Sequence, residues 1–321
     1  MSTIERALEK QRLLAENRRR LEQQQSEQQA EQQASLRATA DPVANDQQAQ
    51  LQTVTSTKPT ATSPTLKDLP ESPLNATPSE RSEQQVNIDI RRLEAMGMVS
   101  PTESFTKIKE EYRYIKRPLL NNAFGAGAST LDQPNLVMVS SSFPGEGKTF
   151  TTINLAISMA MEEDRQVLLV DADVIKPSIC DRLGIAEYPG LMDYLTGKVE
   201  VTDIILNTSI PNLKLITAGR RHHHSNEMIA SEKMKRFMEE LSVRYPDRIV
   251  IFDTSPLLGA SETNVLAQMT GQAVIVVEEK KTSHAQLQHA LSLLNPNIAI
   301  GLVLNKSNGQ RDNYGYYYAN A

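Results

Sequence analysis

The chain has 321 residues, 39% of them apolar, a formal charge of −5 and one cysteine, Cys180. The acidic balance argues against bulk nucleic-acid binding, and a single cysteine excludes an internal disulfide and fits a reducing cytoplasm. No apolar run approaches the roughly 18 residues of a membrane span, and the start, Met1 to Arg6, has an acid and no apolar stretch, so no secretory signal is expected.

Residues 1–22 read as an amphipathic helix, with Ser2 or Thr3 as cap and Ile4, Ala7, Leu8, Leu14 and Leu21 near one face. Arg6, Lys10, Arg12, Arg18, Arg19 and Arg20 against Glu5, Glu9 and Glu16 give its Thr3 to Leu21 stretch a charge of +3. Such a segment suits anionic lipid or a partner helix, or else a solvated helix with a charged face. Residues 23–85 are rich in Gln, then in Thr, Ser, Pro and Ala, and bury too little to offset the entropy of ordering, so they are expected to be a disordered linker.

From Val86 a single α/β domain is expected to run to residue 308. Helices are predicted over Val86 to Met98 and Thr102 to Leu120. Strands are predicted at Val137 to Ser140, Val167 to Val170, Leu213 to Thr217, Ile249 to Phe252, Ala273 to Val277 and Ile300 to Leu304. Between them fall helical stretches at about Lys148 to Glu162, Gly190 to Thr196, Ser225 to Val243, Ser261 to Met269 and Ser283 to Leu294. The alternation predicts a doubly wound, mostly parallel sheet, which binds ligands at the carboxyl ends of its strands.

The first such strand end leads into Ser-Ser-Phe-Pro-Gly-Glu-Gly-Lys-Thr, residues 141 to 149, and then into a helix. A strand, a Gly-Lys-Thr loop and a helix make a P-loop of the NTPase type. Gly145 and Gly147 let backbone N–H groups approach phosphate oxygens, the helix offers its positive end, Lys148 reaches a terminal phosphate and Thr149 holds Mg²⁺. The expected nucleotide contacts are Gly145, Glu146, Gly147, Lys148, Thr149 and Phe150. Ser142 stands where the ordinary motif has glycine, and Phe143 where partition and septum-site ATPases have an additional lysine.

Two more apolar strands end in acids. Val167 to Val170 runs into Asp171-Ala172-Asp173, whose carboxylates point to one side of an extended segment, and Ile249 to Phe252 runs into Asp253. Three carboxylates near Lys148 and Thr149 suit Mg²⁺, chiefly through water, with one left as a base.

Residues 141 to 149, Asp171 to Pro177 and Asp253 to Pro256 together resemble the three Walker-type motifs of the bacterial tyrosine kinases, the BY-kinases. Glu111 to Leu120, the start Met1 to Arg12 and Tyr245 to Ile249 resemble more narrowly the exosortase-associated tyrosine autokinases of exopolysaccharide gene clusters. The resemblance implies an ATP- and Mg²⁺-dependent protein-tyrosine autokinase. It places Lys148 on the transferred phosphate, Thr149, Asp171, Asp173 and Asp253 at the metal, and Asp171 as acceptor of the tyrosine proton, with the roles of Asp171 and Asp173 exchangeable. Asn305 matches the position at which related P-loop proteins recognise adenine.

The family's Glu-x-x-Arg-x-x-Arg helix, which joins subunits, reads here Glu110, Arg113 and Lys116, and implies a homo-oligomer, possibly a ring. Many members have Arg where this chain has Ile175 and Pro where it has Ser255. A separate membrane copolymerase as activator and a cytoplasmic place at the inner face of the plasma membrane are likewise implied.

Residues 309–321 hold Tyr314, Tyr316, Tyr317 and Tyr318, four of the chain's nine tyrosines. The segment resembles the tail that BY-kinases phosphorylate in neighbouring subunits; the plain alternative is an aromatic tail packed on the domain. His222, His223 and His224 lack metal-site spacing and read as a solvated loop. The competing function is a partition-type ATPase switch, against which Phe143 and the tyrosine tail both count; a regulatory nucleotide-binding module without transfer is a third.

Overall fold

A computed structural model describes residues 85–102, 104–125, 128–244 and 247–307. The chain divides into two units, residues 1–68 and 69–321, and all described residues fall in the second. The expected helix at 1–22, the linker save Gln85, and the tail tyrosines lie outside them.

In chain order the elements are β1 (Gln85–Val86), α1 (Ile90–Ala95), α2 (Lys107–Phe124), β2 (Leu136–Ser141), α3 (Lys148–Ala160), β3 (Gln166–Asp171), α4 (Ile179–Leu183), α5 (Leu191–Leu195), α6 (Val201–Ile204), β4 (Leu206–Thr208), β5 (Leu213–Ile216), α7 (Ser225–Ile229), α8 (Glu232–Arg244), β6 (Arg248–Asp253), α9 (Ser261–Ala267), β7 (Gln272–Glu278), α10 (His284–Ser292) and β8 (Ala299–Asn305). The strands form one sheet in the order β1-β4-β5-β3-β6-β2-β7-β8. Among these pairs only β4 with β5 is antiparallel.

The central strands are buried on both faces, as crossover helices require. Strand alternation sends Val137, Val139, Val167, Leu169, Ile249 and Ile251 to one core, shared with Ile153 and Ile157 of α3 and with Tyr112 and Leu119 of α2. Leu168, Val170, Val250 and Phe252 point the other way, onto Met234, Phe237 and Leu241 of α8. A smaller cluster on that side seats Ala273 and Ile275 against Ala290 and Leu294.

All six predicted strands form, with ends shifted by at most one residue. Two expectations change, and two strands were not foreseen. The helix expected from Val86 begins as strand β1, which pairs with β4 and leaves helix only at Ile90–Ala95. The helix expected from Ser225 to Val243 is two helices, because the Ser231 hydroxyl accepts the Met234 N–H at 3.2 Å and starts a new helix. Strands β1 and β4 are too short for a period to register. β4 forms because Asn212, in left-handed conformation with φ 62°, turns the chain into β5.

Candidate active site

Strands β2, β6 and β3 lie side by side and parallel, so their carboxyl ends deliver the P-loop, Asp253 and Asp171 to one place. In register, Val139 pairs with Asp253 and Asp253 with Asp171.

The P-loop is braced from within. Gly147 caps α3 with φ 101°, a conformation that side chains rarely adopt, and any Cβ there would strike the Asn305 amide. That amide donates to the Glu146 carbonyl at 2.8 Å, and Lys306 Nζ donates to the Gly145 carbonyl at 2.7 Å. Glu146 was expected among the nucleotide contacts, but its side chain is buried. Its carboxylate accepts from the Phe143 N–H at 2.7 Å and from the Thr282 hydroxyl, so it holds the loop's shape.

Lys148 Nζ makes an ion pair with Asp173. The other oxygen of Asp173 accepts from Ser255 Oγ at 2.8 Å and from the Lys176 N–H at 3.0 Å. Ser255, a departure from the family pattern, thus gives Asp173 a donor that proline would not. Asp253 accepts from Thr152 Oγ1 at 3.0 Å through one oxygen, while its Oδ2 is buried without a hydrogen-bond partner. Burial pushes its pKa up, against the pull of the Lys148 ammonium and the Thr149 hydroxyl. Asp171 is raised further, to about 8, first by burial and then by Asp253. Donation from the Ile179 N–H at 3.2 Å only partly offsets this.

A buried, orphaned carboxylate oxygen beside Thr149, within a cluster of three buried acids, is a donor set that suits a hard divalent cation held partly through water. Thr149 Oγ1 accepts from Ser178 Oγ at 3.2 Å.

Two clefts open here. The larger, about 810 Å³, is walled by Gly145, Gly147, Lys148, Thr149, Phe150, Asp173 and Asn305. Its volume is that of a small-molecule site. Lys306, Arg182 and Ile175 also line it. Arg182 and Lys306 were missed in the sequence because nothing but tertiary packing brings α4 and the end of β8 to the P-loop; Arg182 Nε is buried with no partner. The smaller cleft, about 240 Å³, has Asp171 on its wall. Asp171 and Asp173 thus line adjoining clefts while belonging to one cluster of charges around Lys148 and Asp253. The strand ends at Asp171, and the turn in which the Asp173 N–H donates to Asp171 Oδ1 at 3.3 Å separates the two.

Helix α2 corrects a further expectation. Glu110 and Arg113 pair with each other at 2.5 Å near the surface. Lys116 points inward, donating to the Ser158 carbonyl at 2.6 Å and pairing with Glu162 at 2.6 Å, so it offers no cation to a neighbouring subunit. The histidine run contributes no metal cluster among the described residues.

A family model described as an AAA domain matches residues 135–298. The chain is 29% identical over 224 residues to the tyrosine-protein kinase YwqD of Bacillus subtilis, covering 69% of this chain and 91% of that one. It is 30% identical over 158 residues to the tyrosine-protein kinase ptk of Acinetobacter johnsonii, covering 49% of this chain and 21% of the relative. Among solved structures, the VpsO kinase domain superposes with a TM-score of 0.52 at 28% identity, over 63% of this chain and 100% of that domain. The chain thus spans nearly all of one relative and about a fifth of the other.

Proposed function

We propose, for a chain that belongs to the AAA domain family and within it to the bacterial tyrosine kinases, that it moves the terminal phosphoryl group of ATP to Tyr314, Tyr316, Tyr317 and Tyr318 of a neighbouring copy. The observation that supports this reading best is the convergence of Lys148, Thr149 and three buried carboxylates on a glycine loop at adjacent parallel strand ends.

The tyrosine oxygen attacks the terminal phosphorus, the bond from that phosphorus to the bridging oxygen breaks, and ADP leaves. The phenolic proton passes to Asp171 in its ionised form; burial and Asp253 raise its pKa to about 8, so the competent base is favoured as pH rises through that value. Lys148 exchanges its hold on Asp173 for the terminal phosphate, and the ion pair keeps the ammonium in place until then. Thr149, Asp173 and Asp253 would hold Mg²⁺, which when bound spreads the charge of the phosphate oxygens. The buried Arg182 Nε, in the same cleft as Ile175, supplies the cation that many family members carry at position 175.

Asn305 sits on the P-loop backbone, and we read its role as shaping the loop rather than as adenine recognition alone. Beyond the site, we propose self-assembly as a homo-oligomer and activation by a separate membrane copolymerase of exopolysaccharide synthesis. The chain then works at the cytoplasmic, inner face of the plasma membrane. No helix among the described residues is long and apolar enough to cross a membrane.

The full chain incubated with ATP labelled on its terminal phosphate and with Mg²⁺, then mapped by mass spectrometry, is expected to carry phosphotyrosine within residues 314–318. Phosphate release without protein labelling would overturn this in favour of an ATPase switch, and neither would leave a binding module.

A further inference from the structure

We propose that the smaller cleft is the docking site of the acceptor tyrosine, and that Arg220 and Arg221 at its rim select a tyrosine flanked by a carboxylate, here Asp312. This rests on the kinase reading and specifies the acceptor side of that site. The two clefts divide the carboxylates between them: Asp173 lines the larger one with the P-loop, and Asp171 lines the smaller. Ser178 belongs to both walls, so the two clefts adjoin at that residue, beside the P-loop Thr149. At about 240 Å³ the smaller cleft falls below the roughly 300 Å³ at which small-molecule sites begin, and it fits a side chain rather than a nucleotide. Asp171 is 1% exposed and lines this cleft, so its carboxylate lies at the floor, where the hydroxyl of a phenol seated in the cleft would end.

The rim is fixed before any ligand arrives. Buried Asp193 accepts the N–H groups of both Gly190 and Arg220 at 3.1 Å, and Thr217 Oγ1 donates to the Tyr188 carbonyl at 3.0 Å. The backbone of Arg220 is thereby held while its side chain and that of Arg221 are exposed. Neither guanidinium has a hydrogen bond or ion pair among the described residues. Asp181 and Glu187 line the same cleft, and neither pairs with them. Among the described residues the cleft therefore presents two unpaired cations and two acids, and the tail carries the matching pair Arg311-Asp312, with Asp312 two residues before its first tyrosine. Free arginines bind a carboxylate through a planar fork, which gives direction as well as charge.

The test is a charge swap in the full chain, with a synthetic peptide of residues 309–321 as acceptor. Arg220→Glu with Arg221→Glu is expected to raise the KM for that peptide by about tenfold or more, the scale of one lost charge-assisted hydrogen bond, while nucleotide affinity stays within about twofold. A peptide with Asp312→Lys is expected to recover most of that loss on the swapped protein and to be a poor acceptor for the unaltered one. Arg220→Lys with Arg221→Lys, which keeps the charge, is expected to sit between the two, and urea unfolding checks that the variants fold. A peptide KM unmoved by the swap, or a loss that Asp312→Lys does not reverse, would overturn the docking site. Absence of tyrosine labelling by the unaltered protein would sink the kinase reading itself, and the docking site with it.

Discussion

Two charged motifs in this molecule met different fates. At the sheet's carboxyl edge, Lys148, Asp171, Asp173 and Asp253 converge, and each is buried. On helix α2, Glu110, Arg113 and Lys116 occupy one turn-spaced series, yet only the first two remain near the surface, while Lys116 turns into the domain. The difference lies in what constrains the side chain. A residue ending a central parallel strand has its position set by hydrogen-bonded register with neighbours on both sides, so identity at a strand end nearly determines location. A helical residue projects from a cylinder whose rotation is set by packing elsewhere, and a long lysine stem follows apolar surface to whatever acceptor lies beyond it.

The largest effect should come from the strand-end cluster. Lys148→Ala removes the ammonium that serves the phosphate, and autophosphorylation is expected to fall by at least about 10²-fold, the usual loss for one transition-state donor. It also leaves Asp173 buried without its cation, which is expected to cost about 3 kcal/mol of stability in urea unfolding. Ser255 and the Lys176 N–H keep the loss toward the lower end of the range for broken buried pairs. A Lys148→Ala protein as active as the parent would mean that the buried cluster is structural, like Lys116.

How much of this was legible in the sequence follows the same division. The apolar runs before Ser140, Asp171 and Asp253 announced three of the six predicted strands and the places where they deliver the site, since in an α/β chain a continuous apolar stretch that ends in a glycine loop or an acid marks a central strand meeting the ligand edge of the sheet. Arg182 and Lys306 gave no such signal: each is one charge among many until α4 and the end of β8 fold over the P-loop. The turn between Asp171 and Asp173 was hidden for another reason. Period-two reasoning applies only while the chain stays extended, and it leaves the strand at Asp171. The bracing role of Glu146 was hidden because the loop motif specifies backbone conformation at its position, whereas its carboxylate is spent on the Phe143 N–H and Thr282.

A middle-sized effect is expected from Lys116→Met. The substitution keeps the apolar stem, removes one buried hydrogen bond to the Ser158 carbonyl and frees Glu162, whose side chain is 47% exposed and regains water. The expected loss is about 1 to 2 kcal/mol, read by chemical denaturation. The oligomeric mass in solution, read by light scattering, should be unchanged. A stable variant that falls apart into smaller species would place Lys116 at the subunit contact after all, and the side chain would then have to leave the pocket on assembly.

The smallest effect separates the two surface residues from their neighbour. Glu110→Ala and Arg113→Ala break a pair in which the Arg113 side chain is 55% exposed, and such pairs contribute from nothing to about 1 kcal/mol. Stability should therefore barely move in either variant. If these residues join subunits, the assembled mass should drop while the unfolding midpoint of the dissociated chain stays where it was, the reverse of the Lys116→Met pattern. Equal behaviour of all three variants would mean that helix α2 presents its charged series as one unit, and that register in a sheet and rotation of a helix constrain side chains here to the same degree.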